Sequence, residues 1–413
     1  MIIKKNLNNI ENFKKNLLIS TLDNQFFIEI LEKLKQDNNV KIDFFYENNK
    51  KKREELLNWA DIIFCEWCEI NALWYSKNKK SHQKLFIRLH KYELFTSFFY
   101  KINWKNVDNL IFIAPEMKRL ANKHLLQKKY VSENNFDWIY YLNNNKDFFK
   151  NLDNKNYNKN WAWKHWKNYG NKINWNQPII NLKENIDYSV ICDEFKHFNG
   201  GKLIWNYVKS DMFIDLPKLN GNEFNIGMVG ILPKIKRPDI ALNIIENLIK
   251  KDKRYKLFLL GKWYTERFDT SNNIKEIEYY KKLEKRINSK ELKNHIVFEK
   301  FTSEVHKWFQ KIGFILSVSD VEGSHQAVAE GMTTGTIPFI YGKALKEYKL
   351  DEVYPQKYCF YEDNIDKLCD KIYFYSNNID EKNIISKECK EYTEENFKII
   401  NIYKDIKNVI ENF

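Results

Sequence analysis

Short apolar runs alternate with segments of helical spacing along most of this chain, and the alternation falls into two series. In the first, Asn16–Ser20, Val40–Tyr46, Asp61–Cys65, Lys84–Leu89 and Asn109–Ala114 read as strands, with Phe26–Gln36 the first of the helices between them. Strands so short and so continuously apolar belong in a parallel sheet covered by helices on both faces. The second series gives strands at Phe224–Gly230, Tyr255–Leu260, Ile296–Glu299, Phe314–Val318 and Ile337–Tyr341. Helical spacing covers Ile240–Ile249, Lys275–Arg286, a stretch from an expected N-cap at Ser303 to Gln310, and Gln326–Thr334. Pro238 stands where the first turn of a helix tolerates proline. The expected fold is α/β, with two Rossmann-like doubly wound domains at 1–210 and 224–385 and a helical segment at 386–413 that packs back on the first.

Between the two series the pattern changes. Residues 134–176 are dense in aromatics, as in Phe136-Asp137-Trp138 and Trp161-Ala162-Trp163-Lys164-His165-Trp166, and read as an inserted helical module. Its rings suit a small satellite core, and equally a platform for sugar rings or a partner. His165 has no second His or Cys at ligand spacing and reads as a packed histidine.

Composition narrows the partners. The chain has 413 residues, is 43% hydrophobic and 16% aromatic, and carries a formal charge of +13. Such a charge favours anionic partners: nucleic acid, anionic lipid headgroups or sugar nucleotides. No run of about 18 apolar residues predicts a membrane span. Met1–Leu18 lacks a long apolar core for a signal peptide, and six cysteines make no disulfide framework, so a cytoplasmic, reduced setting is expected. Cys65-Glu66-Trp67-Cys68 has redox spacing but reads better as a strand end feeding a helix. The chain holds only 12 glycines, nine of them between Gly221 and Gly342, which suggests close backbone approach to a ligand in the second series.

The chemistry concentrates in Ser317–Ile340. A strand ends, Gly323-Ser324 make a turn, and a helix begins near Gln326, so the free N–H groups of Ser324, His325 and Gln326 suit a diphosphate, with Ser324 as the expected N-cap. Glu322 and Glu330 flank this turn, eight residues apart. As continuous helix that spacing is about 12 Å, too far for a carboxylate dyad acting on one atom. The two could instead grip separate parts of an extended ligand.

The Glu-x7-Glu pattern, followed by Gly331-Met332-Thr333-Thr334-Gly335 and Pro338, resembles the signature of family 4 glycosyltransferases of the GT-B fold, and the aromatic stretch resembles a module of bacterial surface-glycan transferases. The resemblance implies two domains facing a cleft, retention of anomeric configuration, and no metal. It assigns sugar hydroxyls to Glu322, ribose hydroxyls to Glu330, and backbone contacts with sugar and phosphate to Gly323, Ser324 and His325. Ser324 and His325 stand where the family has Phe and Gly. Upstream, Gly227-Met-Val-Gly230-Ile231-Leu232-Pro233-Lys234-Ile235-Lys236-Arg237 resembles the family's phosphate turn. It puts the leaving-group lysine at Lys236; Ile231 replaces the usual arginine, which Lys234 or Arg237 would supply. Gly261 and Lys262 are expected near the base or phosphates. Asn206-Tyr207-Val208-Lys209 resembles the inter-domain junction, with Lys209 in place of Asp. In the first domain His90 matches a strand-end histidine facing the donor sugar, while Glu66, Trp67 and Glu93 are candidates for acceptor contact.

The reading is therefore a retaining transferase moving sugar from a UDP- or GDP-linked donor to a glycan or lipid-linked acceptor, in capsule or other surface-polysaccharide synthesis. It needs no cofactor, does not bind nucleic acid, and would sit in the cytoplasm or peripherally at the inner membrane face. The alternatives are a sugar-nucleotide epimerase or phosphorylase on the same fold, and a non-enzymatic binder of nucleic acid or other anions.

Overall fold

The computed structural model describes residues 14–23, 26–45, 49–96, 98–130, 138–144, 158–170, 191–213, 216–266, 274–320, 322–341 and 354–412. Phe136, Asp137, Gly342 and the expected module beyond Gly170 lie outside the described residues. Contacts divide the chain into two units, 1–111 with 122–202 and 406–413, and 112–121 with 203–405.

The first unit is built on a six-stranded sheet of β1 (Asn16–Thr21), β2 (Asn39–Phe44), β3 (Ile62–Glu66), β4 (Lys84–Leu89), β5 (Asn109–Phe112) and β6 (Lys202–Leu203), in the order β2-β1-β3-β4-β5-β6. β1 pairs in parallel with both β2 and β3, and β3 with β4. The all-buried sequences of β3 and β5 agree with a sheet covered on both faces. Helices Ile28–Asp37, Lys50–Trp59 and Ile70–Asn78 connect the first four strands.

The second unit has β7 (Asn225–Val229), β8 (Lys256–Leu260), β9 (Ile296–Glu299), β10 (Phe314–Ser317), β11 (Ile337–Tyr341) and β12 (Phe360–Glu362), in the order β12-β11-β10-β7-β8-β9. All five neighbouring pairs are parallel. The chain therefore builds outward from β7 in one direction, then returns to place β10 on its other side. Loops leaving the carboxyl ends of β7 and β10 diverge at this switch point, where open α/β sheets take their ligands. The helix Pro238–Lys251 buries Ile240, Leu242, Ile244, Ile245 and Leu248 in the core with Ile226, Met228, Leu257 and Phe314.

Glycine has a different use here from the one expected. A Cβ on Gly227, inside β7, would lie 2.6 Å from the Trp308 ring and 2.7 Å from Ile312, so glycine there admits the helix Val305–Gln310 against the strand. Only some of the clustered glycines border a strand-end turn; Gly230, directly after β7, has φ +76°.

Two expected caps differ. The Val305–Gln310 helix follows Glu304, whose N–H donates to Thr302 Oγ1 at 3.0 Å, and Ser303 provides no cap. The helix Gln326–Thr333 has His325 at its cap position, with φ +46° and no side-chain cap bond. Helices Ile365–Asn377, Ile379–Phe397 and Ile399–Glu411 complete the chain. No helix among the described residues is long and apolar enough to cross a membrane.

Candidate functional site

Lys236 and Glu322 join the two diverging loops of the second unit. After Gly230 the chain makes a 3₁₀ turn at Lys234–Lys236, and Arg237 (φ +55°) leads into the helix Pro238–Lys251. Lys236 Nζ donates to Glu322 Oε1 at 2.5 Å, with both side chains part-exposed. Ser319 Oγ donates to the same oxygen at 2.6 Å. Burial alone would raise the Glu322 pKa, but the charges of Lys236 and His325 and the two hydrogen bonds overcome it and hold the carboxyl below its usual value. Oε2 accepts no hydrogen bond from the described residues, so an ionised carboxylate oxygen is left for a ligand hydroxyl.

The turn between the carboxylates is held from several directions. His325 Nδ1 bonds Ser317 Oγ at 2.7 Å, at the end of β10. Tyr354 donates its hydroxyl to the Ser324 carbonyl at 2.6 Å, and Ser324 Oγ accepts Asn206 Nδ2 at 3.2 Å. Gln326 Nε2 donates to the Tyr207 carbonyl at 3.1 Å. These bonds fix the polar residues that replace Phe and Gly of the family pattern at the start of the helix. Asn206, Tyr207, Ser317, Ser319 and Tyr354 were not singled out from the sequence as site residues; their bonds to the turn span 3 to 119 positions.

Glu330 lies one turn into the helix from Gln326, whose amide approaches it at 3.5 Å. Burial raises its pKa to about 7, against the lowering effects of the Gln326 hydrogen bond and the Lys209 charge. It is thus the second carboxylate of the site, poised near neutrality.

The other cations of the phosphate turn are placed differently. Arg237 makes a two-pronged pair with Asp239 at 3.0 Å and a third bond to Asp320 at 2.9 Å. Three of its five N–H groups are thus used, and the bond to Asp320 ties the β7 loop to the β10 loop. Lys234 Nζ lies 5.1 Å from the Tyr279 ring centroid. Ile231 is buried, and its carbonyl accepts the Tyr280 hydroxyl at 2.8 Å, so this position faces the core rather than a ligand. A Cβ at Gly230 would lie 3.9 Å from Lys236 Cε, and one at Gly261 would lie 3.8 Å from Gly230 Cα, so the two turns border one another beside Lys236. Lys262 is exposed next to them.

In the first unit the structure brings His90, Glu66, Trp67 and Glu93 into one cluster at the carboxyl ends of β3 and β4. The His90 ring lies against Trp67 with centroids 3.9 Å apart. Its Nε2 is 3.5 Å from Glu66 Oε1, and its backbone N–H donates to Glu93 Oε2 at 2.8 Å. Trp67 adopts φ +85°, held by its Nε1 donating to the Asp23 carbonyl at 2.9 Å and its N–H to the Arg88 carbonyl at 3.2 Å. Arg88 pairs with Glu66 at 2.7 Å, both at about 1% side-chain exposure. Burial, then the Arg88 charge, pushes the His90 pKa well down. Burial pushes Glu66 and Glu93 up. The cluster is thus a neutral imidazole among carboxyl groups, and Glu66 and Glu93 are wholly buried within it.

Residues 213–394 match the family profile described as glycosyl transferases group 1. No curated protein matches the sequence. Among solved structures, HepE of Anabaena in complex with UDP and glucose superposes with a TM-score of 0.58 at 10% identity, covering 97% of this chain and 100% of that one. Sucrose-phosphate synthase of Thermosynechococcus elongatus gives 0.56 at 10% identity, over 96% and 98%. TarM gives 0.50 at 14% identity over 85% of this chain, which spans about half (54%) of TarM's length. Residues 213–394 therefore carry a glycosyl transferases group 1 domain, and the chain is built on two parallel-sheet α/β units of GT-B type.

Proposed function

We propose that the protein is a retaining transferase of family 4 type that moves a sugar from a UDP- or GDP-linked donor to a glycan or lipid-linked acceptor in surface-polysaccharide synthesis. The observation that carries this reading is the Lys236–Glu322 pair at the switch point, with Glu330 beyond the same turn. HepE, the structural relative crystallised with UDP and glucose, adds support for the donor class.

In this reading the diphosphate lies over the start of the Gln326–Thr333 helix and beside Gly230. As the bond between the anomeric carbon and the phosphate oxygen breaks, negative charge grows on the departing diphosphate, while an acceptor hydroxyl oxygen bonds that carbon from the same face and gives its proton to the diphosphate. Lys236 and the helix N–H groups stabilise that charge without needing to reorganise. Glu322 Oε2 accepts a sugar hydroxyl and Glu330 the ribose hydroxyls. The first unit takes the acceptor. No metal is required, and the enzyme works on the cytoplasmic side, meeting a lipid-linked acceptor at the membrane face.

The test is a transfer assay with UDP- and GDP-sugars, with the anomeric configuration of the product read by NMR. Retention, insensitivity to EDTA, and loss of transfer in Lys236→Ala and Glu330→Ala are expected. An inverted product, or wild-type turnover in either variant, would overturn the reading.

A further inference from the structure

The first unit contains a pocket of about 560 Å³ that shares no lining residue with the candidate site described above. Its lining includes Tyr100, Asn103, Trp104, Asp193, Glu194 and His197. The volume falls within the range of about 300–1,000 Å³ typical of small-molecule sites.

Its position separates it from the His90 cluster. Trp104–Asn106 form a turn that runs into the amino-terminal end of β5. Asn103 N–H donates to Ser76 Oγ at 3.1 Å, and Asn106 Nδ2 to the Ser76 carbonyl at 2.7 Å. Ser76 is in the last turn of the helix that leads to the amino-terminal end of β4. The pocket is thus at the amino ends of the strands, while His90 and Glu66 are at the carboxyl ends. A strand of six residues such as β4 spans about 20 Å.

The lining selects the ligand. Aromatic rings form one side: Trp104 meets Phe195 edge-on at 5.2 Å, and Tyr100 is half-buried. The Trp104 Nε1–H is buried and has no acceptor among the described residues, a cost that a ligand oxygen or water would relieve. His197 Nε2 sits 2.6 Å from the Val107 carbonyl and must carry the proton there, which leaves Nδ1 of the neutral ring as an acceptor. Asp193 and Glu194 add carboxylate acceptors, and Asn103 an amide. Lys105 also lines the pocket and Lys196 pairs with Asp193 at 2.7 Å, so opposite charges nearly balance and select neither an anion nor a cation, while so many polar groups make a poor site for an alkyl chain. Hydroxyls that both donate and accept, carried on rings with apolar faces, satisfy the set. Leu125 and Asp193 also lie on either side of residues 131–190, so the pocket is lined from both flanks of the aromatic-rich region.

We propose that this pocket binds a neutral oligosaccharide, as a glycan site at the opposite end of the first unit's strands from the His90 cluster. That this glycan is the acceptor rests on the function proposed above; the binding itself does not.

The experiment is isothermal titration of the full chain, without donor, with chitotetraose, maltotetraose and cellotetraose. At least one should bind with a dissociation constant of about 1 mM. The Asp193→Asn/Glu194→Gln double variant, with unchanged melting temperature, should weaken that binding at least about tenfold, and Lys236→Ala should leave it unaltered. No binding of any of the three, equal binding by the double variant, or loss of binding in Lys236→Ala would each overturn the proposal. UDP titration reads the donor site separately, so failure of one reading does not imply failure of the other.

Discussion

Lys236 and Glu322 form a 2.5 Å ion pair, although the proposed mechanism assigns them to different parts of the donor. Lys236 and Ser319 both donate to Glu322 Oε1, and in the proposed mechanism the other two N–H groups of the Lys236 ammonium face the diphosphate. Lys236→Ala should lower the transfer rate by about 10²–10³-fold, the size of effect expected from losing one preorganised charge donor. The pair is part-exposed, so its loss should change stability by no more than about 1 kcal/mol. Steady-state kinetics beside thermal melts check both. A large drop in melting temperature would mark Lys236 as structural instead.

Glu330 gives the donor site a pH dependence. Its folded pKa of about 7 lies above the ordinary glutamate value. Between pH 4.5 and 7 the folded state therefore holds a proton that the unfolded state has lost, and stability falls as pH rises through that window. Glu330→Gln should flatten this slope. Ribose hydroxyls favour the ionised form, so the wild-type affinity for UDP should rise between pH 6 and 8 relative to Glu330→Gln. Titration calorimetry of both proteins separates this from the titration of UDP itself. Parallel pH profiles would show that Glu330 does not meet the ribose.

His90 has the opposite sign. Its pKa is well below 6.5 in the folded chain, so its contribution to stability is present above pH 6.5 and is lost as pH falls below that value. Burial is the main cause, with Arg88 adding to it, while Glu66 and Glu93 face the ring. His90→Phe should retain the Trp67 contact and lose stability less steeply between pH 6.5 and 5 than the wild type. Chemical denaturation at several pH values measures the difference, and the same variant should transfer sugar poorly.

The strands and the two ligand loops were legible in the sequence because they depend on local signals: apolar runs, turn glycines, and carboxylates at fixed spacing. β4 and β9 fall where the apolar pattern puts them. What was not legible depends on distant partners. Trp67 reads as a strand-end candidate for acceptor contact, and only Asp23 and Arg88 explain its left-handed backbone. Nothing in the sequence singles out Lys218, yet its ammonium is buried against the Phe309 and Ile312 carbonyls, at 2.8 Å each, and the hydroxyls of Thr334 and Thr336. Ser324 has cap chemistry, but Asn206 and Tyr354 take up the turn and shift the cap position to His325.

Gly227 offers a control on the fold away from the ligand. A methyl group there would overlap Trp308 and Ile312 across the β7 contact. Gly227→Ala should destabilise the second unit by about 1–3 kcal/mol, the usual cost of overpacking a core. Below its melting temperature the variant should still bind UDP. Unchanged melting would mean that the Val305–Gln310 helix can move off the strand at no cost.

Arg237 decides between two accounts of the phosphate turn. If it supplied the charge missing at Ile231, Arg237→Lys would keep much of the activity, because a lysine in the turn still carries the charge. The geometry argues for a brace instead: two bonds to Asp239 and one to Asp320 use the planar fork that lysine lacks. Arg237→Lys and Arg237→Gln should then behave alike, with a lower melting temperature and a weakened hold on UDP as the β7 and β10 loops separate. Asp320→Asn should give a milder form of the same defect, since it weakens one of the three bonds and leaves every cation in place. Activity in Arg237→Lys close to wild type, with Arg237→Gln inactive, would return the diphosphate to Arg237.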